Sequence, residues 1–364
     1  MPSCDTLLQI LDLARWAPSG DNTQPWRFEI VEGSHLRVHA FDTRDYCVYD
    51  LDGRPSQLSV GLMLETLRLA AASHGLSAGI ARQKDSPQDR PVFDVHLLPD
   101  ASASSSPLVA AIKSRCVQRR PLSTGRLPRS AKTALRASLP NGYTLVWMEG
   151  LVARWRVALL LYASARIRLT IPEAFETHRR VIEWGARYSE DKIPDEAVGL
   201  DPLTKRLMRW FMRDWRRMQF VNRYLGGTIV PRLQLDLLPG LACAAHVVIV
   251  ADRAPTSIDD YVMAGAAVQR FWLTATTLGL QHQPETTPLI FARYVRERRA
   301  FSARPGASGE ARDIEQRLGV MVGIDVLPRA VWMGRLGVGP PAKSRSLRLP
   351  LSKLMCPPSP AKKA

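Results

Sequence analysis

Two long helices that are apolar nearly all round constrain the fold more than any other feature of this sequence. Residues 55–74 and 261–278 both have helical periodicity, and neither keeps a continuous polar face for water. A helix of this kind is buried on every side, so we expect each one to lie at the centre of a core. Each is followed by a glycine, Gly75 or Gly279, and this repetition within 364 residues predicts two related halves.

Alternating or continuous apolar runs predict strands around both helices. They occur at 26–31, 36–41, 92–98, 143–148, 241–251 and 331–338. The turn signal Gly33-Ser34 lies between the first two runs and predicts a hairpin. Residues 288–294 follow a proline-bracketed loop and are interpreted as irregular or as a short strand.

A linker of small polar residues at 99–107 is the clearest internal boundary. It predicts a first half at 1–106 and a second half at 107–355, the latter with a helical insertion at about 151–235. Residues 356–364 (CPPSPAKKA) are predicted to be a disordered tail.

Residues 201–226, within the insertion, combine aromatic and apolar side chains with a high density of cations. Three interpretations stay open for them. They form a packing helix whose arginines reach outward, a mobile lid over a pocket, or an amphipathic helix that binds a surface. Packing or a lid is favoured over binding to a membrane.

The chain is strongly basic, with 50 Lys and Arg against 34 Asp and Glu, a formal net charge of +16 and a pI near 10.1. Such a charge permits contact with nucleic acid or anionic lipid. Most of the cations are dispersed arginines, and no RNP, zinc-finger or Walker signature is present, so we do not expect nucleic acid as a partner. Anionic small molecules, such as phosphorylated cofactors, fit the same charge equally well.

The sequence also predicts the cellular setting. No stretch approaches the roughly 20 uncharged apolar residues of a membrane-spanning helix, and the N-terminus lacks the features of a signal peptide. The five cysteines are scattered without a CxxC pair, and the histidines show no metal-ligand spacing. We therefore expect a cytoplasmic protein with no membrane span, no disulfide framework and no metal site.

The densest group of polar residues is the loop Ala17-Pro-Ser-Gly-Asp-Asn-Thr-Gln-Pro-Trp26. Two prolines and a glycine fix its course between a helix and a strand. One interpretation is a helix end followed by a turn, since these residues favour turns. The alternative, weighted equally, is a loop that presents amide groups to the polar edge of a flat heterocycle.

Two basic segments are candidates for binding phosphate. Arg115, Arg119 and Arg120 lie within six residues, and Lys343, Arg345 and Arg348 lie within another six near the end of the chain. Guanidinium groups match phosphate with paired hydrogen bonds. In isolation, a solvated basic turn explains the first segment and a basic C-terminal extension explains the second.

The loop at 279–288 follows the second buried helix and is short, polar and bracketed by prolines. Such a loop tends to expose backbone N–H groups. Glu285 and His282 are titratable, but nothing nearby completes a hydrolytic triad, and GxSxG, HExxH and GxGxxG are all absent. His246, in an apolar strand, is interpreted as a core histidine with its hydrogen bonds satisfied.

The run APSGDNTQPWRF resembles the APSxxNxQPWxF signature of the nitroreductase superfamily of flavin-dependent oxidoreductases. GAAVQRFWLTATTLGL and QPETTP are similar to a helix and the loop after it in that family, and KSR and RLPL at 343–351 to its phosphate-binding end. The basic segment follows the APSGDN loop here, whereas the ordinary family has the reverse order. This arrangement resembles a duplicated single-chain branch, whose members include MoeY-type and dormancy-associated proteins.

The resemblance implies an α+β fold with a central antiparallel sheet flanked by helices, and two pseudo-repeated halves in one chain. It also implies FMN as the cofactor. Pro18, Ser19 and Asn22 would contact the isoalloxazine, and Arg115 would reach the ribityl phosphate. Val117 stands where the family has Ser or Thr, which removes one side-chain donor.

The remaining site residues follow from the same resemblance. Arg119 would lie near the flavin N1/O2 edge, and the backbone around Glu285 and Thr286 would approach N5. Lys343, Arg345 and Arg348 would hold the phosphate. No side chain is expected to act as a nucleophile, because the flavin carries the chemistry.

The function implied is an FMN-dependent NAD(P)H oxidoreductase. It would work by ping-pong hydride transfer through flavin N5 to a flat aromatic or quinone-like acceptor. The alternatives are a protein that binds or sequesters flavin without turnover and an enzyme that fragments flavin. The partners expected are small molecules, with the chain acting as a monomer that imitates a dimer or as a homodimer.

Overall fold

Two four-stranded antiparallel sheets, each associated with one of the two long helices, form the frame of the molecule. The computed structural model describes residues 2–356, so the tail predicted at 356–364 lies outside the described residues from position 357 onward. The first part of the chain contains α1 (Cys4–Ala14), β1 (Trp26–Glu32), β2 (His35–Ala40), α2 (Arg54–Ala72), β3 (Leu76–Arg82) and β4 (Val92–Pro99).

The first sheet has the strand order β1-β2-β4-β3, with antiparallel neighbours throughout. The predicted hairpin at Gly33-Ser34 is confirmed, because β1 pairs with β2 across it. Helix α2 begins after Gly53, whose φ of 74° lies in the left-handed region, and has Pro55 in its first turn. All but a few of its residues are buried, as the apolar pattern predicts.

The middle of the chain is mostly helical. It contains α3 (Leu108–Ser114), α4 (Arg129–Ala137), β5 (Tyr143–Glu149), α5 (Gly150–Thr170), α6 (Pro172–Val181), β6 (Ile182–Glu183), β7 (Tyr188–Ser189), β8 (Ile193–Pro194), α7 (Asp195–Val198), α8 (Pro202–Phe211), α9 (Trp215–Tyr224), α10 (Ile229–Arg232), a π-helical turn (Leu233–Leu237) and α11 (Leu238–Leu241). The predicted helical insertion is interrupted by the three two-residue strands β6 to β8.

The last part of the chain completes the second sheet. It contains β9 (Ala245–Ala251), α12 (Ile258–Thr277), β10 (Gln281–Pro284), α13 (Thr287–Arg296), α14 (Ala307–Val322), β11 (Ala330–Gly337), β12 (Arg345–Ser346) and α15 (Leu351–Leu354). The interpretation of 288–294 as irregular or strand is wrong. This segment lies in α13, where Pro288 occupies the first turn and so leaves no backbone donor unpaired.

The second sheet has the order β5-β9-β11-β10, again with antiparallel neighbours. In both sheets the first strand pairs with the second, the second with the fourth and the fourth with the third. In both, the long helix connects the second strand to the third. The α+β class with antiparallel sheets and flanking helices is therefore confirmed. The boundaries of the two halves stay a prediction.

Helices α2 and α12 pack directly on each other at two glycines. A Cβ placed on Gly61 would lie 2.0 Å from the carbonyl oxygen of Val262, and one on Gly265 would lie 2.1 Å from that of Leu58. Further along the contact, Gln269 Nε2 donates a buried hydrogen bond to Thr66 Oγ1 at 2.8 Å. The two long helices thus bring the two sheets together through their backbones.

The end of the described chain returns to the first sheet. Leu354 is fully buried in the core beneath that sheet, and Met355 forms a β-bridge with Phe28. The backbone N–H of Leu349 donates to Gln24 Oε1 at 2.9 Å. The C-terminal basic segment is therefore held beside the loop that follows α1. Within residues 2–356, no helix is both long enough and apolar enough to cross a membrane.

Candidate functional site

A cavity of about 250 Å³ lies where the predicted site segments meet. We call it the first cavity. It is lined by the loop at 18–22, the start of α2 at 55–62, the basic segment at 115–119, residues 193–197, Trp272, the segment at 283–293, residues 330–332 and the C-terminal segment at 344–348. The loop near the start of the chain and both arginine segments therefore share one cleft, as the resemblance implies.

The loop after α1 has an unusual backbone. Asp21, Asn22 and Gln24 have φ values of 50°, 62° and 48°, in the left-handed region that short polar residues tolerate best. The backbone N–H of Gln24 donates to Ser19 Oγ at 2.9 Å, which closes the turn. Pro18 and Ser19 line the cavity, and their contact with the isoalloxazine stays a prediction.

Asn22 lines the cavity, but its side-chain amide is already hydrogen-bonded to other protein groups. Its Nδ2 donates to the carbonyl oxygens of Glu190 at 3.1 Å and Lys192 at 3.3 Å, and its Oδ1 accepts from Arg348 Nη1 at 2.9 Å. Asn22 therefore fixes the position of the arginine and of the loop around β7 and β8.

Three arginines from two distant segments form one side of the cavity. Arg348 is buried, and its Nε donates to the carbonyl of Ala17 at 2.8 Å. Arg115 is also buried; its Nη2 donates to the carbonyl of Trp16 at 3.1 Å, and its guanidinium lies 4.7 Å from the ring centre of Trp272. Arg345 Nη2 donates to the carbonyl of Arg115 at 3.2 Å. The backbone of one basic segment thus holds the side chain of the other.

These arginines have only neutral partners. Among residues 2–356, none of Arg115, Arg345 and Arg348 lies within ion-pair distance of a carboxylate, and the buried Nε atoms of Arg115 and Arg345 have no hydrogen-bond partner. Burial lowers the pKa of Arg115 to about 10, and the nearby charge of Arg345 adds to the effect. Burial and the charges of Arg115 and Arg345 also hold the pKa of Arg348 well below its usual range. Uncompensated buried cations are costly, so this side of the cavity is suited to a bound anion.

Arg119 lies at the back of the first cavity, beside Asp21. Its Nη1 donates to the carbonyl of Ala197 at 3.1 Å, and burial lowers its pKa. The carboxylate of Asp21 partly offsets this charge. Burial in turn raises the pKa of Asp21, against the opposing charge of Arg119.

The loop between β10 and α13 contributes Thr286 to the cavity wall, but it turns the side chain of Glu285 away. The backbone N–H of Glu285 donates to the carbonyl of Met333 at 2.8 Å, so that donor is already used within the sheet. The structure also leaves the exposed side chain of Lys343 outside the first cavity. Arg345 and Arg348 are the cations of the C-terminal segment that line it.

Glu285 belongs instead to a buried charge network outside the lining of the first cavity. Its Oε2 accepts from His246 Nδ1 at 2.7 Å, and its Oε1 accepts from Arg335 Nη1 at 2.8 Å. The other nitrogen of His246, Nε2, lies 2.8 Å from the carbonyl oxygen of Gly240. Because both ring nitrogens face acceptors, both carry protons and His246 is an imidazolium. Burial alone would lower its pKa, but the carboxylate of Glu285 raises it to about 10.

This network connects two walls of the cavity. Arg335 Nη2 also donates to the carbonyl of Arg119 at 2.8 Å, so one guanidinium holds both the β10–α13 loop and the basic segment. The predicted role of His246 as a satisfied core histidine is confirmed. Sequence reasoning missed Arg335, although an arginine within the apolar run VWMGRLGV was a visible signal.

A second cavity, of about 240 Å³, adjoins the first. The two share Asp21, Arg119, Ile193, Gln283, Pro284 and Thr286 as lining residues. The helical insertion supplies most of the remaining wall, which combines apolar with polar and charged side chains. The apolar ones include Leu161, Ala165, Trp184, Met208, Met212 and Leu235, and the polar and charged ones include Ser164, Arg168, His178, Asp195 and Lys205.

An ion pair forms part of the polar lining of the second cavity. Arg168 Nη2 donates to both carboxylate oxygens of Asp236, at 3.0 and 2.9 Å. Burial raises the pKa of Asp236 to about 6, although Arg168 opposes the shift. The two cavities together fall within the roughly 300–1,000 Å³ of small-molecule sites.

Comparisons with known proteins agree with this geometry. The model of the nitroreductase family matches residues 2–53, which include the loop after α1. A Mycobacterium tuberculosis protein named "Putative NAD(P)H nitroreductase Rv3131" is 27% identical over 311 residues, or 80% of this chain and 79% of that protein. An uncharacterised protein from the same species, MT1398, is 24% identical over 76% of this chain, which spans only 38% of that relative's length.

Among solved structures, the FMN-dependent nitroreductase NfnB of Mycobacterium smegmatis, in complex with NADPH, is 16% identical. It superposes with a TM-score of 0.35 over 67% of this chain and 94% of that one, a likeness too weak to carry an argument. The family model covers the loop on which the resemblance was based. The start of this chain is thus similar to the nitroreductase family, and about four fifths of the chain is similar to a protein named as a putative nitroreductase.

Proposed function

We propose that this chain is an FMN-dependent oxidoreductase of the nitroreductase type, with NAD(P)H as electron donor and a flat aromatic or quinone-like molecule as acceptor. The observation that carries the proposal is the group formed by the buried Arg115 and Arg348 and the half-buried Arg345, which line the first cavity with only neutral partners. The name of the relative Rv3131 supports NAD(P)H as the donor.

The first cavity fits FMN on two counts. The unpaired Nε atoms of Arg115 and Arg345 and the uncompensated charge of Arg348 suit a phosphate dianion. Beyond the arginines, the lining includes apolar side chains that suit the faces of a flat ring, among them Leu58, Leu62, Leu289, Ile290, Val331 and Trp332. Arg115, Arg345 and Arg348 would therefore hold the phosphate, with Asn22 keeping Arg348 in position.

Bound FMN would supply the hydride chemistry. The role of Arg119 is electrostatic, because its guanidinium lies at the junction of the two cavities and can offset negative charge that develops there. Arg335 and Glu285 act behind it as positioning residues, since Arg335 holds the carbonyl of Arg119. Val117 lines the cavity with an apolar side chain in place of a hydroxyl, so this wall contributes shape without a side-chain hydrogen bond.

The second cavity is suited to the acceptor. The apolar part of its wall matches the face of a flat aromatic molecule, and its charged and polar groups match that molecule's polar substituents. The second cavity shares lining residues with the first, among them Asp21, Arg119 and Thr286. A substrate in the second cavity would lie beside FMN bound in the first. The helical insertion, which supplies most of this wall, would then set the choice of acceptor.

The identical strand order of the two sheets supports the further proposal that the chain is a fused pair of nitroreductase-like halves. In such a chain one polypeptide supplies both sides of the flavin cleft. The loop at 18–22 would come from one half, and the segments at 115–119 and 283–286 from the other.

The test begins with the visible absorption spectrum of the purified protein and an FMN titration. We expect bound flavin, bleaching of its absorbance by NADH or NADPH under argon, and reoxidation on addition of a nitroaromatic or a quinone. A protein that neither contains nor binds FMN would overturn the proposal. Tight binding without NAD(P)H oxidation above the rate of free flavin would favour a sequestering protein, and new flavin fragments by mass spectrometry would favour flavin cleavage.

A further inference from the structure

Helix α8 carries an apolar stripe on its outer face. None of its residues is buried, and Leu203, Leu207 and Trp210 are exposed by 67%, 45% and 48%. Their spacing of four and then three residues places them on one side of the helix. On the opposite side, Lys205, Met208 and Met212 line the second cavity. The outward stripe is therefore separate from the site described above.

Helix α9 extends the apolar surface. Phe220 and Tyr224 are exposed by 57% and 62%, and their ring centres lie 5.1 Å apart. Leu225 follows directly and is also exposed. The guanidinium of Arg217 lies 4.8 Å from the ring centre of Trp210 and so joins the two helices. We call residues 203–225 the α8–α9 surface.

The α8–α9 surface is also strongly cationic. Six arginines are exposed on it: Arg206, Arg209, Arg213, Arg216, Arg217 and Arg223. None of the six lies in an ion pair within the part of the chain that the structure describes. Asp214 is the single acidic residue between 203 and 225, and its side chain is engaged in capping α9 through the backbone N–H of Arg216.

We propose that the α8–α9 surface binds the face of an anionic lipid bilayer. A helix with exposed Leu and Trp beside arginines inserts its apolar stripe at the headgroup boundary, while the guanidinium groups reach the phosphates. Each cation near such a surface adds to the attraction, and the arginines without ion pairs are free to supply it. Lipid binding by the α8–α9 surface requires neither flavin nor the proposed oxidoreductase activity.

The charge distribution favours a bilayer over other occupants. A second copy of this chain would bring six arginines against six across a twofold contact, which repels. A nucleic-acid backbone offers no apolar surface against which the exposed Leu203 and Leu207 could pack. A lipid bilayer offers both an apolar layer and anionic headgroups. Anionic lipid is thus the partner whose chemistry matches both parts of the surface.

The test is co-sedimentation of the full chain with vesicles of phosphatidylcholine alone or mixed with phosphatidylglycerol. We expect the chain to pellet with the mixed vesicles, and less so as salt is raised, since part of the attraction is screened. The triple variant R206Q/R209Q/R213Q should weaken binding by about tenfold or more. The variant L203S/L207S/W210S should also weaken binding to the mixed vesicles, although it leaves the charge of the α8–α9 surface unchanged.

Matched controls keep these results interpretable. R126Q/R129Q/R136Q removes the same charge from exposed arginines elsewhere, and V320S/I324S removes exposed apolar side chains elsewhere. Both controls should bind vesicles almost as well as the parent chain, and circular dichroism checks that every variant is folded. Absence of binding to the mixed vesicles, or equal losses in the controls, would overturn the proposal. So would a dimer in sedimentation equilibrium that the L203S/L207S/W210S variant dissociates.

Discussion

Arg348 donates a hydrogen bond through Nη1 to Oδ1 of Asn22 at 2.9 Å, which joins side chains 326 positions apart. Arg348 comes from the C-terminal basic segment and Asn22 from the loop after α1. The same guanidinium donates through Nε to the carbonyl of Ala17. The cationic side of the first cavity is therefore built onto the polar loop, and a change in either segment affects both.

Replacing Arg348 with Gln tests the anion site. R348Q should weaken FMN binding by roughly ten- to 150-fold, the equivalent of one hydrogen bond to a charged group at about 1.5–3 kcal/mol. Isothermal titration calorimetry with FMN measures the loss. The matched variant K343Q removes one charge from the same segment, but its side chain is exposed and outside the cavity, so it should change the affinity by less than about twofold. An equal loss in K343Q would return Lys343 to the phosphate site.

The His246–Glu285 pair predicts a dependence of stability on alkaline pH. The pKa of His246 is raised in the folded chain, from an ordinary value of 6.5 to about 10. Its contribution is therefore complete below pH 6.5 and is lost as the pH rises toward 10. Urea unfolding of H246Q and the parent chain should differ most at pH 6.5 and least at about pH 10.

The exposed His74 provides the control for that comparison. H74Q should follow the parent chain at both pH values, because its side chain has no buried carboxylate partner within the described residues. If H246Q and the parent chain lose stability in parallel over this range, His246 is not charged in the folded protein.

The crossing of α2 and α12 predicts that a single methyl group is damaging at Gly61. G61A would place its Cβ against the carbonyl of Val262, so the helices must separate, at a cost of roughly 1–3 kcal/mol or more. The same change at Gly309 in α14 meets nothing within 4 Å and should raise the free energy of unfolding by up to about 1 kcal/mol. Urea denaturation of both variants measures the difference, and equal effects would contradict the close packing.

Filling the second cavity tests whether it holds the acceptor. M208W places a large side chain on the inner face of α8, so KM for a nitroaromatic acceptor should rise about tenfold or more while the affinity for FMN is kept. L207W adds the same ring one residue earlier, on the exposed side of the helix, and should leave both constants close to their parent values. Steady-state kinetics without lipid gives the comparison. A loss of FMN affinity in M208W would show that one ligand spans both cavities.

Local sequence patterns predicted most of the helices and strands of the fold. The two helices and the strands around them follow from periodicity, because a helix without a polar face and a strand with alternating side chains leave a continuous signal. The segment at 182–194 has no such periodic signal, because β6, β7 and β8 have only two residues each. Its place beside Asn22 depends on hydrogen bonds to the carbonyls of Glu190 and Lys192, which no local pattern encodes.

The candidate site was predictable where residue type alone decides the chemistry. Clustered arginines and a turn of short polar residues suggested an anion and a flat ligand, and Pro18, Ser19, Arg115 and Arg348 line one cavity. The direction of a side chain was not predictable in the same way. Glu285 turns inward because Arg335 and His246, on neighbouring strands, are both cations, and this depends on the register of the sheet.

Every wall of the first cavity comes from a single polypeptide, from the loop at 18–22 to the arginines at 345 and 348. We therefore expect the affinity for FMN to stay constant as the protein is diluted, unlike that of a cleft formed between subunits. A mutation in either wall also enters the molecule only once, so the two sides of the cleft are free to diverge independently during evolution.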